Sequence, residues 1–171
     1  MTTDAQMDAT WSGLSELDAT ARQQSMEERF ARLASKAEAD RFAEAESMVR
    51  AEYSLGDMPL QDFTVSRLRA WIALSRRDPA QATAAVKAYD HVFDHLPAEM
   101  AMKRASVVQT VARAQLSSDE IEALFDLIPS LVRQLPRAKQ EADRSSASQA
   151  RVEAARQGTA ARAKKPFWKF W

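Results

Sequence analysis

Cysteine is absent from the 171-residue chain, and glycine occurs only three times. Without cysteine the protein can form neither a disulfide framework nor a thiolate metal site, which fits a reducing compartment. Few glycines leave few of the tight turns that join β-strands, whereas the dominant residues Ala, Glu, Arg, Gln and Leu favour helix. The composition therefore predicts an all-α fold.

Long apolar runs are also absent. No stretch approaches the roughly 18 consecutive apolar residues that a membrane-spanning helix needs. The first residues, MTTDAQMDATWSGLSELDAT, are acidic and contain no basic segment followed by an apolar run, so we expect no secretory signal. These features predict a cytoplasmic protein that is soluble or peripheral to a membrane.

The net charge of zero hides an uneven distribution along the chain. Residues 1–136 contain 15 Lys and Arg against 21 Asp and Glu, a net charge of −6, whereas residues 137–171 contain 9 against 3, a net charge of +6. If residues 1–136 bound nucleic acid, their folded surface would need a positive charge. The distribution argues against nucleic acid as a partner and confines the positive charge to the C-terminal segment.

Helix-start signals divide the middle of the chain into five predicted helices. Capping boxes or N-cap residues occur at Ser25, Thr64, Asp78 and Ser117. Apolar residues recur at helical spacing inside each segment. The predicted helices cover about residues 25–55, 64–77, 79–96, 97–116 and 117–135, the last with a kink at Pro129.

Large apolar residues become scarce after residue 136, where Val152 is the only one before Phe167. Such a segment cannot bury enough surface to offset its ordering entropy. We therefore expect four regions: a flexible acidic N-terminus over 1–24, a compact antiparallel bundle of about five helices over 25–136, a flexible basic linker over 137–165 and an aromatic docking segment over 166–171.

Two histidines, His91 and His95, lie four residues apart in the third predicted helix. This spacing puts both imidazoles on one helix face, as bidentate metal binding requires. A catalytic zinc site usually needs three protein ligands, and no HExxH sequence or Cys ligand supplies a third. We expect an exposed polar face without tightly bound metal, and we expect no cofactor.

Four arginines of the second predicted helix could bind an anion, because guanidinium groups bind phosphate and carboxylate bidentately. A solvated helix face explains the same pattern. No glycine-rich phosphate loop and no GxSxG or SxxK sequence accompanies them, so nucleophilic catalysis has no support. These weak anion-binding candidates are Arg67, Arg69, Arg76 and Arg77.

The last eight residues, KKPFWKFW, contain four aromatic side chains, three lysines and one proline. The aromatic residues are the candidates for partner docking, and the lysines are candidates for electrostatic support. One alternative is that the segment folds back onto the acidic body or crosses to another subunit of a homo-oligomer. The docking candidates are Phe167, Trp168, Phe170 and Trp171, and the supporting lysines are Lys164, Lys165 and Lys169.

Two kinds of partner fit this segment. Aromatic and basic residues together suit an anionic membrane surface, and the segment resembles in a general way the short basic-aromatic C-terminal tails of bacterial division ATPases. Tryptophan is also the commonest hot-spot residue of protein interfaces, and a carboxylate on Trp171 would suit a protein pocket better than lipid. A terminal Trp also resembles that of bacterial carboxysome-positioning adaptors, which usually carry a basic N-terminal region where this chain is acidic.

These observations predict a non-enzymatic adaptor that recruits a protein partner or protein assembly through its aromatic segment. A peripheral membrane adaptor anchored by the same residues is the first alternative. A metal- or anion-binding enzyme subunit that uses His91, His95 and the four arginines is the second.

Overall fold

A computed structural model describes residues 10–128 of the chain. A short 3-10 helix, Ser12–Glu16, precedes six α-helices, and no strand occurs in this part of the chain. The all-α prediction is confirmed. The helices are α1 (Ala19–Ala34), α2 (Glu38–Tyr53), α3 (Asp57–Arg77), α4 (Pro79–His95), α5 (Ala98–Gln115) and α6 (Ser118–Leu127).

Two of the four predicted helix caps are confirmed, and α5 begins at Ala98, next to the start predicted at residue 97. The Asp78 carboxylate accepts hydrogen bonds from the backbone N–H groups of Ala80 and Gln81 at 3.1 and 3.0 Å and so caps α4. Ser117 and Glu120 form the predicted capping box of α6, each side chain accepting from the backbone N–H of the other. Local capping chemistry was sufficient to predict these two starts.

The other two predicted starts, at Ser25 and Thr64, are wrong. Ser25 lies buried inside α1, which is capped by Asp18, and Thr64 lies buried inside α3. Both residues are buried by packing against other parts of the fold, so tertiary packing overrides the local cap signal. The predicted helix over 25–55 is two helices separated by residues 35–37, and the expected count of about five is only partly confirmed.

Residues 10–24 belong to the folded part, contrary to the expected flexible N-terminus over 1–24. Trp11 and Leu14 are buried in the hydrophobic core. Arg22 of α1 holds the preceding turn in place, since its Nε donates to the carbonyl of Leu14 and its Nη2 to the carbonyl of Leu17 at 2.8 Å. A charged side chain therefore fixes a segment that has few apolar residues of its own.

Helix α3 lies at the centre of the described part. It packs against α1, α4, α5 and α6. Eleven of its 21 residues are buried, including all six from 63 to 68, so the helix has no continuous solvent face over that stretch. A helix that is buried all round is a core helix rather than an amphipathic surface helix.

The most extensive contacts join helices that are two apart in sequence. Helix α1 packs along α3, and α2 packs along α4, whereas the consecutive pairs α1–α2 and α2–α3 touch little. Only α3 and α4 combine a short connection, the single residue Asp78, with extensive contact. The arrangement brings α2, α3 and α4 together around one part of the core.

Aromatic side chains from three helices, together with Trp11 before the 3-10 helix, fill this core. Trp71 of α3 and Tyr89 of α4 meet edge to face at 5.3 Å, and both rings contact Phe30 of α1. Trp11 packs against Phe30 and Phe63 at 5.3 and 5.4 Å. Such edge-to-face pairs stabilise beyond their buried area.

Several predicted features lie outside the described residues. These are the kink at Pro129, the end of the bundle at residue 136, the linker over 137–165 and the aromatic segment over 166–171. Among the helices between residues 10 and 128, none is both long and apolar enough to cross a lipid bilayer.

Because Trp11 is a core residue, Trp11→Ala is expected to lower the free energy of unfolding by about 3–5 kcal/mol. The matched control is Met58→Ala, since 69% of Met58 is exposed and its truncation should cost less than about 0.5 kcal/mol. Urea denaturation of both variants measures the difference.

A fragment of residues 25–136 lacks Trp11 and Leu14, and it should be similarly destabilised. Full stability of that fragment would contradict the placement of Trp11.

Candidate functional site

The aromatic segment lies outside the described residues, and its docking role stays a prediction. The same holds for the three lysines that accompany it. The residues concerned are Lys164, Lys165, Phe167, Trp168, Lys169, Phe170 and Trp171. The candidate residues of the helical part can be placed directly.

Arg67 lies inside the protein, not on the exposed face that the sequence suggested. Its side chain is fully buried, and its Nε donates to Oε1 of Glu52 at 3.0 Å. Glu52 is fully buried as well. The two residues connect α3 with α2 through an ion pair that has no contact with solvent.

The Arg67 guanidinium is also surrounded by aromatic rings. Its Cζ lies 4.7 Å from the ring centroid of Trp71 and 5.5 Å from that of Tyr89. A cation over a ring face is attracted by the ring quadrupole, and the attraction is stronger where water is excluded. The pair with Glu52 and the two rings together stabilise a charge that would otherwise be costly to bury.

Further polar side chains from α2, α3 and α5 adjoin this ion pair. Tyr53 is the last residue of α2, Thr64 lies one turn before Arg67, and Arg104 of α5 reaches the same region. Arg104 pairs with Asp90 at 2.5 Å and lies 4.4 Å over the Phe93 ring. We call the following residues the polar interior cluster: Glu52, Tyr53, Thr64, Arg67, Trp71, Tyr89 and Arg104.

Burial governs the ionisation of the cluster. It raises the pKa of the Glu52 carboxyl, and the opposing attraction of Arg67 does not cancel the effect. Burial also raises the pKa of the Tyr53 and Tyr89 hydroxyls, so both phenols stay protonated at neutral pH. The cluster therefore offers hydroxyl groups that can both donate and accept hydrogen bonds.

A sequence signal for the buried position of Arg67 does exist. Arg67 follows Phe63 by four residues and precedes Trp71 by four, so helical periodicity places all three on one face. Glu52 follows Met48 by four residues and Val49 by three, and both are buried. An arginine is usually exposed, and the prediction of a solvated face followed that tendency and not the helical position of Arg67. Local spacing contains no sign that Glu52 pairs with Arg67.

The other arginine candidates do not share a site with Arg67. Arg69 binds Glu120 of α6 at 2.8 Å and the carbonyl of Gln115 at 2.9 Å. Arg77 binds Glu27 of α1 at 2.8 Å, and Arg76 is exposed at the end of α3. Three of the four candidates thus have a carboxylate partner within the fold.

A polar cleft of about 310 Å³ lies beside Arg69, between α1 and α3. Arg22 and Arg69 contribute guanidinium groups to its lining, and Asp62 contributes a carboxylate. Both guanidiniums already donate to groups of the protein, Arg22 to the carbonyls before α1 and Arg69 to Glu120. The cleft combines charges of both signs and is not a simple anion site.

The two histidines line a second cleft, of about 380 Å³, between α2 and α4. His91 stacks on Phe42 with 4.0 Å between ring centroids, and the His95 ring lies 4.3 Å from that of His91. Nδ1 of His95 donates to the carbonyl of His91 at 2.7 Å, which leaves Nε2 as the nitrogen available to a ligand. Both side chains are exposed, as the sequence predicted.

Among the lining residues in the described part of the chain, Glu46 alone carries a carboxylate, and it already binds Arg50 at 2.6 Å. Among residues 10–128, no three His, Cys, Asp or Glu side chains gather in a way that could hold a metal ion. The two imidazoles would leave most of a coordination shell to water. Weak metal binding by His91 and His95 stays the expectation.

Removing one partner of the buried ion pair should be far more damaging than removing both. Arg67→Met leaves the Glu52 carboxylate buried without its cation and should lower the free energy of unfolding by about 3–5 kcal/mol. Glu52→Met with Arg67→Met removes both charges and should cost less than Arg67→Met alone, and so less than the sum of the single changes. The exposed Glu46–Arg50 pair is the matched control, with an expected coupling below about 1 kcal/mol. Additive effects at Glu52 and Arg67 in urea denaturation would contradict the pairing.

The metal expectation has its own test. Zinc added to the full chain should be removed by dialysis from the wild type and from His91→Ala alike, because two imidazoles at this spacing give no complete shell. Metal analysis after dialysis measures the outcome. Zinc that the wild type retains and His91→Ala loses would contradict the expectation and would favour the metal-binding enzyme alternative.

Comparison with known proteins adds no functional assignment. The sequence matches no protein-family model, no curated protein and no solved structure.

Proposed function

We propose that the protein is a non-enzymatic adaptor that docks a protein partner or protein assembly through residues 166–171. The observation that carries the proposal is the sequence PFWKFW, in which four of the last five residues are aromatic. Trp is enriched among the few residues that dominate the free energy of protein interfaces, because a large rigid ring gives much contact area at little entropic cost. A short segment with two tryptophans can therefore carry specific binding.

The charge distribution suits recruitment of an acidic partner surface. Residues 137–171 carry a net charge of +6, and Lys164 and Lys165 immediately precede the aromatic residues. Complementary charge raises association rates and is screened by salt, whereas buried aromatic contacts determine dissociation. In this proposal the lysines raise the association rate, and Trp168 and Trp171 lower the dissociation rate of the complex.

The helical part supports the proposal through what three of its four anion-binding candidates already bind. Arg67 is bound to Glu52 inside the core, Arg69 to Glu120, and Arg77 to Glu27. These side chains serve the fold. We further propose that α3 and α4 run antiparallel, because a connection of one residue, Asp78, returns the chain directly.

A peripheral membrane adaptor is the alternative that the same segment favours. Burying one aromatic side chain contributes about 1.5–3 kcal/mol, and each lysine near an anionic surface about 1 kcal/mol. Ordering of the segment offsets much of this, so a single copy would bind weakly and a homo-oligomer more strongly. Protein docking and membrane docking differ in how the bound state responds to salt.

The test uses the full chain with Trp168→Ala and Trp171→Ala. We expect this variant to lose the protein that the wild type captures from cell lysate, and binding of that purified protein to weaken at least about tenfold, the cost of one modest hot spot. The melting temperature should stay within about 1 °C, because the proposal gives these side chains to a partner and not to the core. Lys164→Gln with Lys165→Gln is the matched control, and it should slow association without abolishing the complex.

Two outcomes would contradict protein docking. Binding of the wild type to anionic phosphatidylserine vesicles that the Trp variant loses, and that about 0.5 M salt releases, would instead identify a membrane anchor. A fall in melting temperature by many degrees in the Trp variant would show that the tryptophans pack within the fold, since truncating core Trp residues costs several kcal/mol.

A further inference from the structure

The polar interior cluster contains more hydrogen-bonding capacity than its own members satisfy. Within residues 10–128, ten buried side-chain nitrogen or oxygen atoms make no hydrogen bond, and eight of them belong to this cluster. The eight are Oε2 of Glu52, the hydroxyls of Tyr53, Thr64 and Tyr89, Nη1 and Nη2 of Arg67, Nε1 of Trp71 and Nε of Arg104. The concentration in one place distinguishes the cluster from the rest of the core.

Turning the Thr64 hydroxyl does not by itself meet this demand. The Thr64 hydroxyl adjoins the Glu52 carboxylate and could turn toward it. Six atoms of the cluster would remain in the described part without a partner, and among them are both terminal nitrogens of Arg67. Buried polar groups in native proteins are almost always hydrogen-bonded, to protein or to water, because a lost bond to solvent is costly when nothing replaces it.

The chemistry of these atoms specifies what can satisfy them. Arg67, Trp71 and Arg104 contribute N–H groups that only donate, so the missing partner must supply acceptor atoms. The charges are already balanced, because Arg67 pairs with Glu52 and Arg104 with Asp90. A carboxylate or phosphate would add an unbalanced negative charge beside Glu52, whereas a small neutral molecule that both accepts and donates would not.

We propose that the polar interior cluster is an internal hydration site, in which water molecules enclosed by α2, α3, α4 and α5 bind Arg67. The waters accept from the Arg67 and Trp71 N–H groups and donate to Glu52 and to the Tyr89 hydroxyl. Each water then has the two to four polar partners that a buried water requires. These waters are as much part of the core as the aromatic rings around them.

The burial pattern assigns the route by which the waters exchange with solvent. Five members of the cluster are completely inaccessible, whereas Tyr53 and Arg104 retain 8% and 5% exposure. Exchange therefore passes beside Tyr53, the last residue of α2, and Arg104, in the first half of α5. Arg104→Ala should shorten the residence time of the waters, because it removes one of the two side chains nearest solvent.

The first test is made on the full chain without substitution. The indole N–H of Trp71 has no partner within the described part and belongs to a fully buried side chain, so contact with solvent cannot explain a signal from water. We expect a magnetisation-transfer cross-peak from water to this N–H in the full chain, with the sign of a long-lived bound water. Trp71→Phe assigns the resonance. Absence of the cross-peak at an assigned Trp71 N–H would overturn the proposal.

The second test counts long-lived waters by ¹⁷O magnetic relaxation dispersion. Glu52→Met with Arg67→Met should lower the dispersion amplitude, and Glu46→Met with Arg50→Met, which removes an exposed ion pair, should leave it unchanged. Should the first double variant not fold, Tyr89→Phe deletes a single hydroxyl and should lower the amplitude by a smaller amount. An amplitude equal to wild type in a folded variant of the cluster would overturn the proposal.

A third arm distinguishes water from an oxyanion as the occupant. Acetate and phosphate, each added at constant ionic strength against chloride, should change neither the melting temperature nor the dispersion amplitude. A rise in melting temperature with either anion that disappears in Arg67→Met would show that the cluster binds an oxyanion, and it would overturn hydration by water.

Discussion

The ion pair between Glu52 and Arg67 is the constraint on which the arrangement of the central helices depends. It is fully buried and joins α2 to α3, and the rings of Trp71 and Tyr89 enclose the guanidinium. Taking two charges out of water is costly unless geometry and further hydrogen bonds compensate. The fold can therefore bury these residues only if α2, α3 and α4 meet in one particular way.

The arrangement of the three helices that pairs Glu52 with Arg67 depends on the register of α3. A rotation of α3 by one residue, about 100°, would turn Arg67 away from Glu52 and bring Ser66 or Leu68 to its place. Apolar side chains tolerate such shifts because one methyl group replaces another at modest cost. An unpaired buried charge does not, so we expect the ion pair to favour this register more strongly than an apolar contact of similar volume would.

The sequence was sufficient for features that depend on neighbouring residues. Asp78 and Ser117 cap their helices as predicted, because capping involves side chains and backbone groups within three residues. Ser25 and Thr64 show the same kind of signal but lie inside helices, since packing against distant residues decided their state. The partnership of Glu52 with Arg67 depends on how separate helices pack, and no local pattern encodes it.

Whether a side chain already has a partner within the fold also bears on function. In the described part, side chains that carry chemistry have mostly found partners within the fold: Arg69 with Glu120, Arg77 with Glu27, and His95 with the backbone of His91. A ligand could bind one of these side chains only after the contact within the fold is broken. The free energy lost with that contact weakens ligand binding. A concentration of aromatic residues such as PFWKFW is expensive to leave in water without a partner. This difference in cost is the physical reason for placing the recruitment proposal at Trp168 and Trp171 and not at the arginines of α3.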